Sequence, residues 1–480
     1  MEYDVLVLGC GGSGMFAAIR AAEKGVKRIG VFEKAAAPGG NLRMAGTFFS
    51  TDFSDFGDYQ SDENSIKLYR KTMKELHLTG NHALIKRYIF RSREIAKFFE
   101  ERGLKMVPVN MPMFKSDCSR NVESPKEHDL GAVVRLGVDV CNILQAEMEK
   151  YPQIETHFKT PAVGLLAENS RVVGANVQID GETVPVYART VILATGGCGG
   201  SKEAMSHYFP QYMSVHDALR FRGIPTCTGD GIAMAETIGA ETGKKMNVHM
   251  LGPRYAGKEF SKMSGVMANP VALILDRRGR RLCDETMFGM LQEITHELPG
   301  RVIYGLFDQD TFSEAWNAKG FGPPCGEENM DEINKLYAGD IRKGLIGTFD
   351  TLDEAAAYMG MAPERLKAAV ERYNGFCQTG IDEDEYKDPK YLKPIVKPPF
   401  RVLYGARSMD STQGGITVNA SMQAMRSDGT AIQGMFVTGD HVSGFCSQYY
   451  APSGAGMTWA MVSGYMAGED AAAICGTGKE

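Results

Sequence analysis

An α/β fold is predicted for this chain of 480 residues by three observations. A short apolar run near the N-terminus leads directly into a glycine-rich turn and a helix-forming segment. A second apolar run follows and ends on an acid, and two more runs far downstream end in turns of small residues. Continuous apolar runs of this length suit strands buried on both faces, which is the habit of a parallel sheet.

The first element is Tyr3 to Leu8, Y-D-V-L-V-L, a buried strand. Gly9-Cys10-Gly11-Gly12-Ser13-Gly14 comes next and carries G-x-G-x-x-G through Gly9, Gly11 and Gly14. Met15 to Lys24 suits a helix, and Arg28 to Glu33 a second strand. This order is specific for a dinucleotide. Gly9 permits the tight turn, Gly11 lets a pyrophosphate approach the backbone, and Gly14 allows the helix to pack on the sheet. The free N–H groups at the helix start then face the phosphates. Glu33 lies about twenty residues further on, where a carboxylate accepts ribose hydroxyls. The sequence thus predicts a Rossmann-type domain.

Ser65 to Gly103 carries helix-type spacing of Leu, Ile, Tyr and Phe among basic and acidic residues, read as helices with a solvated charged face. Ile154 to Tyr187 alternates in short runs, and Asp180-Gly181 is a good hairpin turn, so a small antiparallel element is expected. Val191 to Gly197, V-I-L-A-T-G-G, is a strand ending in a small-residue turn. Thr351 with Glu354 forms a capping box opening a helical region that ends near Gly375. Asp382 to Pro399 is charged and Pro-rich and reads as a connecting loop. Met435 to Asp440, M-F-V-T-G-D, is another strand ending in a turn, and Met457 to Ala473 reads as a core helix.

Composition narrows the function. A net charge of -6 gives no basic surface for nucleic acid. The start Met1-Glu2-Tyr3-Asp4 lacks the basic and apolar regions of a secretory leader, and no run of about eighteen apolar residues suggests a membrane span. A cytoplasmic protein is expected. The ten cysteines are scattered without a C-x-x-C pair, which excludes covalent haem and the compact zinc and iron–sulfur spacings, so no metal site is expected. They read as reduced thiols.

The glycines alone do not separate FAD from NAD. Pro38-Gly39-Gly40-Asn41 follows the acid closely, as in two-dinucleotide flavoproteins, where this stretch runs along FAD. No second strand–GxGxxG–helix unit is visible, so a dedicated NAD(P) domain is not expected.

Together with Ala194 to Gly197, T-G-D-G at Thr228 to Gly231, G-G-I-T-V-N at Gly414 to Asn419 and T-G-D at Thr438 to Asp440, the N-terminal segment resembles the fumarate reductase/succinate dehydrogenase flavoprotein superfamily. The motifs cover nearly the whole chain in the right order. The branch it most resembles is soluble and holds fumarate reductases, urocanate reductase and 3-ketosteroid dehydrogenases; tetrahydrodaidzein reductases are a further likeness. The resemblance implies a discontinuous Rossmann-type FAD-binding domain, residues 1–245 and 351–480, and an inserted α+β capping domain at 246–350. It implies FAD contacts from Gly9, Gly11, Gly12, Ser13, Gly14, Glu33, Lys34, Gly39, Gly40, Asn41, Ala194, Thr195, Gly196, Asp230, Gly439, Asp440, Gly454 and Gly456. Asn41 to Phe49 contains no His to tether the flavin, so FAD is expected to be noncovalent.

The departures bear on the substrate. Where the family carries a cap Arg, this chain continues Thr286-Met287-Phe288-Gly289-Met290. Where it carries a His ahead of the double glycine, the run is Met409-Asp410-Ser411-Thr412-Gln413. Where it carries a substrate Arg, the run is Tyr449-Tyr450-Ala451-Pro452-Ser453-Gly454. Two carboxylates without a cationic clamp would be desolvated and unpaired, at a cost of several kcal/mol. Y-A-P-S-G is instead similar to the Y-A-G-P-G of ketosteroid dehydrogenases, in which a Tyr hydroxyl and a Gly N–H hold a carbonyl oxygen.

Tyr450 and Gly454 are therefore the expected oxyanion donors, with Tyr255, Arg254, Tyr304 and His249 as candidates for proton transfer or substrate anchoring. The expected activity is reduction or desaturation of a carbon–carbon bond in a small cyclic carbonyl-bearing or phenolic substrate, of steroid-enone or isoflavonoid type, with hydride passing through flavin N5. NAD(P)H binding transiently or an electron-donor protein would supply the electrons. The competing readings are a fumarate/urocanate-type carboxylate reductase and a noncatalytic or RNA-modifying flavoprotein.

Overall fold

Residues 2–8 place Val5, Leu6, Val7 and Leu8 out of water on both faces, and a strand so buried becomes the centre of a sheet. In the computed structural model this strand, β1 (Glu2–Leu8), pairs in parallel with β2 (Ile29–Glu33) on one side and with the end of a long strand on the other. The structure describes residues 1–51, 62–75, 78–108, 119–122, 130–210, 220–221, 224–243, 246–254, 264–267, 269–286, 294, 298, 302–318, 330–342, 344–445 and 454–476.

Three short strands and three α-helices, Asp62–Glu75, His82–Glu100 and Leu130–Met148, lie between β2 and the next strand of the first sheet. β3 (Phe48–Phe49), β4 (Met106–Pro108) and β5 (Ser119–Val122) form a three-stranded sheet in the order β3-β5-β4. β6 (Ile154–Phe158) pairs in parallel with β2. β7 (Ala162–Glu168), β8 (Arg171–Ile179) and β9 (Glu182–Leu193) follow as antiparallel neighbours. Asp180 and Gly181 join β8 to β9 with φ values of 50° and 87°, the positive pair that a two-residue hairpin of this twist requires. The antiparallel element starts only at β7, because β6, which the sequence reading included in it, pairs in parallel with β2. β9 runs on through Val191–Leu193 into the parallel core, beside β1 and a later strand, Ala431–Val437.

The helices from Ser65 to Gly103 are present as Asp62–Glu75 and His82–Glu100, the second capped by Asn81 Oδ1 on the Ala83 and Leu84 N–H groups. The first helix, Gly12–Glu23, packs on the C-terminal helix, Ala455–Gly476. Gly464 and Gly468 set that approach, because a Cβ on either would strike the backbone of Ser13 or Ala17.

The second sheet takes four strands from the expected capping segment, one from before it and one from after it. β10 (Arg220–Phe221), β11 (Asn247–Arg254), β12 (Leu273–Leu275), β13 (Val302–Phe307), β14 (Ile346–Phe349) and β15 (Phe400–Gln413) compose it, with β15 pairing to four of the others. Along β13 the buried side chains alternate: Ile303 and Phe307 join one apolar cluster, Val302, Tyr304 and Leu306 the other. The second cluster also holds Ala355, Ala356, Leu366, Val370 and Tyr373.

The boundary read at 350 therefore falls inside this unit. The helices Leu352–Met359 and Pro363–Thr379 pack on the second sheet, and the chain returns to the first along β15. The capping box of Thr351 and Glu354 forms as expected, but the helical region passes Gly375 and stops at Gly380, in left-handed conformation at φ 72°.

A buried ionic group fastens this unit. Arg281 pairs with Glu285 at 2.8 Å and with Asp382 at 2.7 Å, and Lys387 pairs with Glu285 at 3.0 Å. Burial works against the Glu285 carboxylate, yet Lys387 and Arg281 outweigh it and hold it below the usual range. β16 (Gln423–Met425) and β17 (Ala431–Val437) then complete the first sheet, whose order is β16-β17-β8-β9-β1-β2-β6 with β7 beside β8.

Candidate functional site

The strand ends of the first sheet converge on one cleft. β1 ends at Gly9, β2 at Glu33, β9 at Ala194 and β17 at Thr438–Asp440, the carboxyl ends at which an open α/β sheet binds its ligand. Gly9 has φ 106°, and its backbone lies so close to Ala194 that any Cβ would overlap it. Gly14 packs as tightly on the Gly9 carbonyl. Gly11 differs: a Cβ there would meet nothing nearer than Gly39 O at 3.9 Å. It is the N-cap of the first helix and offers no side-chain cap, so the first-turn N–H groups are left for a ligand.

Glu33 closes one end. Its Oε2 accepts the Cys10 N–H at 2.7 Å and its Oε1 the Ala35 N–H at 2.7 Å, which orients the carboxylate and leaves further lone pairs for ribose hydroxyls. Lys34 donates to Thr228 Oγ1 at 2.7 Å and forms an ion pair with Asp230 at the start of the helix Asp230–Thr237. Gly39 N–H donates to Cys10 O at 2.8 Å, tying the Pro38–Asn41 stretch to the glycine turn. Asn41 Oδ1 accepts the Ile224 N–H at 2.9 Å, and its side chain also reaches Asp440. Ser13 is 6% exposed and lies against Gly439, whose N–H donates to Ser463 Oγ at 3.0 Å.

Asp440 and His441 occupy the centre. Burial pushes the Asp440 carboxyl up to about 6, with the Asn41 hydrogen bond pulling the other way. Burial holds the His441 imidazole down to about 4. His441 Nε2 lies 3.0 Å from Leu193 O and Nδ1 lies 3.2 Å from Thr195 Oγ1. The sequence reading missed His441, although it directly follows the Gly439–Asp440 turn. Cys227 was missed as well. Its Sγ lies 3.3 Å from where a Gly196 Cβ would be, and burial pushes its thiol up to about 12.

The second sheet brings β15 to the same cleft. Thr412 is fully buried, its Oγ1 accepts the Cys198 N–H at 2.8 Å, and it fills the space beside Gly197. Gly414 N–H donates to Asp440 O at 2.7 Å. The backbone register sets His249 opposite Ser411, Asn247 opposite Gln413 and Arg254 opposite Ala406. His249 and Arg254 are described as strand backbone only. Tyr255 and Tyr450 lie outside the described residues. Tyr304 is 3% exposed, with its ring centroid 5.7 Å from that of Tyr404 inside the second sheet's apolar cluster. It is a core aromatic of the second sheet rather than a residue brought to the cleft. Gly454 is buried at φ 93° against the Phe48–Phe49 backbone, and Gly456 lies in the first turn of the C-terminal helix.

These residues fit FAD. An uncapped helix start, an opening over Gly11, an oriented acid at the β2 end and a partly buried acid at the β17 end match pyrophosphate, ribose and ribityl groups in turn. No helix among the described residues is long and apolar enough to cross a membrane.

A family profile described as "FAD binding domain" matches residues 4–457. The chain is 25% identical to NADH:acrylate oxidoreductase of Vibrio harveyi over 496 residues, covering 92% of this chain and 47% of that protein. It is 22% identical to vinyl phenol reductase of Lactiplantibacillus plantarum over 492 residues, covering 98% and 96%. Among solved structures it is similar to 3-ketosteroid-delta4-(5alpha)-dehydrogenase from Rhodococcus jostii, with TM-score 0.77, 20% identity and coverage of 98% and 97%. The chain spans about half the length of the first curated relatives it matches.

Proposed function

The chain belongs to the FAD-binding family, and from that premise we propose that it is an FAD-dependent oxidoreductase acting on a carbon–carbon bond of a small uncharged substrate. Bound FAD supplies hydride transfer at N5. The substrate class is a cyclic carbonyl-bearing or phenolic compound, of steroid-enone or isoflavonoid type. The observation that carries this reading is the strand β15 at the mouth of the cofactor cleft. Its last residues, Ser411, Thr412 and Gln413, carry no cation; the Thr412 hydroxyl is taken by the Cys198 N–H, and Gln413 Oε1 is buried without a partner among the described residues. A strand end of neutral side chains suits a carbonyl or phenol oxygen, whereas a buried carboxylate without a cation is costly.

Tyr450 and the Gly454 N–H hold the substrate's oxygen in this reading, and His249 and Arg254, on the antiparallel neighbour of β15, are candidates for proton transfer or anchoring. Two donors aimed at an oxygen that gains charge stabilise it by roughly 3 kcal/mol each in a site that excludes water. Tyr450→Phe is expected to lower turnover by about one to three orders of magnitude while leaving FAD bound. Unchanged turnover would remove Tyr450 from the mechanism.

Electrons come from outside the chain, from NAD(P)H or a donor protein. The name of the Vibrio relative supports NADH for that protein, but this chain covers only 47% of it. Anaerobic titration of the bound flavin with NADH and NADPH tests direct reduction. Bleaching by either one assigns the donor, and absence of bleaching by both assigns the role to a protein partner. Its scattered thiols without close pairs support a reducing compartment such as the cytoplasm.

A further inference from the structure

His441 touches three segments of the cofactor cleft at once. Its ring bridges Leu193 O and Thr195 Oγ1, on the turn that ends β9. Its carbonyl accepts the Ile416 N–H at 2.8 Å, from the turn that ends β15. Its own backbone follows Asp440, on the turn that ends β17. The side chain is 0% exposed.

The hydrogen-bond chemistry fixes the tautomer. Leu193 O can only accept, so Nε2 carries the proton, and Nδ1 is left to accept from the Thr195 hydroxyl. Gly231 is pressed against this pair: a Cβ there would overlap Thr195 Oγ1 and lie 3.4 Å from His441 Nδ1. Leu193 O also accepts the Thr438 N–H at 2.9 Å, so the ring closes a loop of bonds between the β9 and β17 turns.

We propose that His441 is a positioning residue for the cofactor, whose two ring nitrogens lock the Ala194–Gly197 turn against the Thr438–Asp440 turn and thereby set how tightly FAD is held. This inference rests on the FAD reading above. The ring acts through the turns that line the cleft. Without it Thr195 loses a buried partner and Leu193 O keeps only its bonds from Thr438, so the β9 and β17 ends stay paired but the Thr195 turn beyond them is held less firmly.

The test is equilibrium titration of apoprotein with FAD, prepared by stripping the holoenzyme, read by flavin fluorescence and visible circular dichroism. His441→Leu, which removes both bonds, is expected to raise the FAD dissociation constant about 10- to 100-fold, the range for two lost buried hydrogen bonds. His441→Gln keeps a donor for Leu193 O and is expected to recover affinity to within about 5-fold of wild type. Thr195→Val removes one bond with little change of shape and keeps the test available if His441→Leu does not fold. It is expected to weaken FAD about 3- to 15-fold and to add little in the His441→Leu background. Wild-type affinity and flavin dichroism in Thr195→Val and His441→Leu would overturn the proposal, as would full additivity of the two substitutions. Failure of the wild-type apoprotein to take up FAD would sink the FAD reading itself, and this proposal with it.

Discussion

Asp440 and His441 are neighbours in the chain, and burial drives their titrations in opposite directions. The Asp440 carboxyl rises from 3.8 to about 6, so its folded form holds a proton that the unfolded chain has already lost. Its contribution to stability therefore falls as pH rises from about 4 to 6. The His441 imidazole drops from 6.5 to about 4, so its contribution is complete above about 6.5 and is lost as pH falls towards 4. The two slopes oppose each other in the same window. In the apoprotein, Asp440→Asn should leave stability rising more steeply with pH between about 4.5 and 6.5. His441→Gln should leave it falling. Urea unfolding at several pH values measures both, and parallel profiles for all three proteins would refute the assignment. At this scale the sequence exposed Gly9, Gly11, Gly14 and Glu33, because strand, turn, helix and acid are local. It did not expose His441, whose partners Thr195 and Leu193 lie 246 and 248 residues away.

The elements make separate demands. The first and C-terminal helices meet through glycines, and Gly464 has no room for a Cβ beside Ser13. Gly464→Ala should cost about 1–3 kcal/mol by overpacking, and it should weaken FAD as well, because Ser13 belongs to the cofactor turn. Thr351→Ala provides the contrast. It removes the cap of a helix packed on the second sheet and should cost about 0.5–2 kcal/mol without changing FAD affinity. Thermal or urea unfolding paired with FAD titration separates the two effects. Equal losses of FAD affinity would show that the two packed units are not independent. Most elements were legible because their signals are local, including the Asp180–Gly181 hairpin and the Thr351–Glu354 capping box. The sequence reading split β9 into a hairpin arm ending at Tyr187 and a strand from Val191, because the second half belongs to the parallel sheet beside β1 and β17 and the first to the hairpin.

For the whole molecule, the sequence reading closed its second segment at 350, whereas the helices packed on the second sheet continue past it. The helices after that point carry apolar faces that match the second sheet as readily as the first, and only the packing of Leu366, Val370 and Tyr373 decides between them. The ionic group of Arg281, Glu285, Asp382 and Lys387 joins residues about a hundred positions apart and belongs entirely to this unit. Lys387→Met should destabilise it by about 3–5 kcal/mol, since Glu285 keeps its charge with one cation fewer. A Lys387→Met/Glu285→Gln pair should recover part of that loss in urea unfolding, and a double variant worse than the single would contradict the pairing. The substrate end offered only absences of cations in three motifs, too far apart in the chain to be read together.

The most direct test of the account is anaerobic reoxidation of the reduced flavoprotein by a panel of steroid enones, isoflavonoids, vinyl phenols and fumarate. The account predicts yellow protein whose reduced flavin is reoxidised by at least one uncharged cyclic enone or phenolic alkene, and far more slowly by fumarate. Rapid reoxidation by fumarate, or a purified protein that binds no flavin, would contradict it.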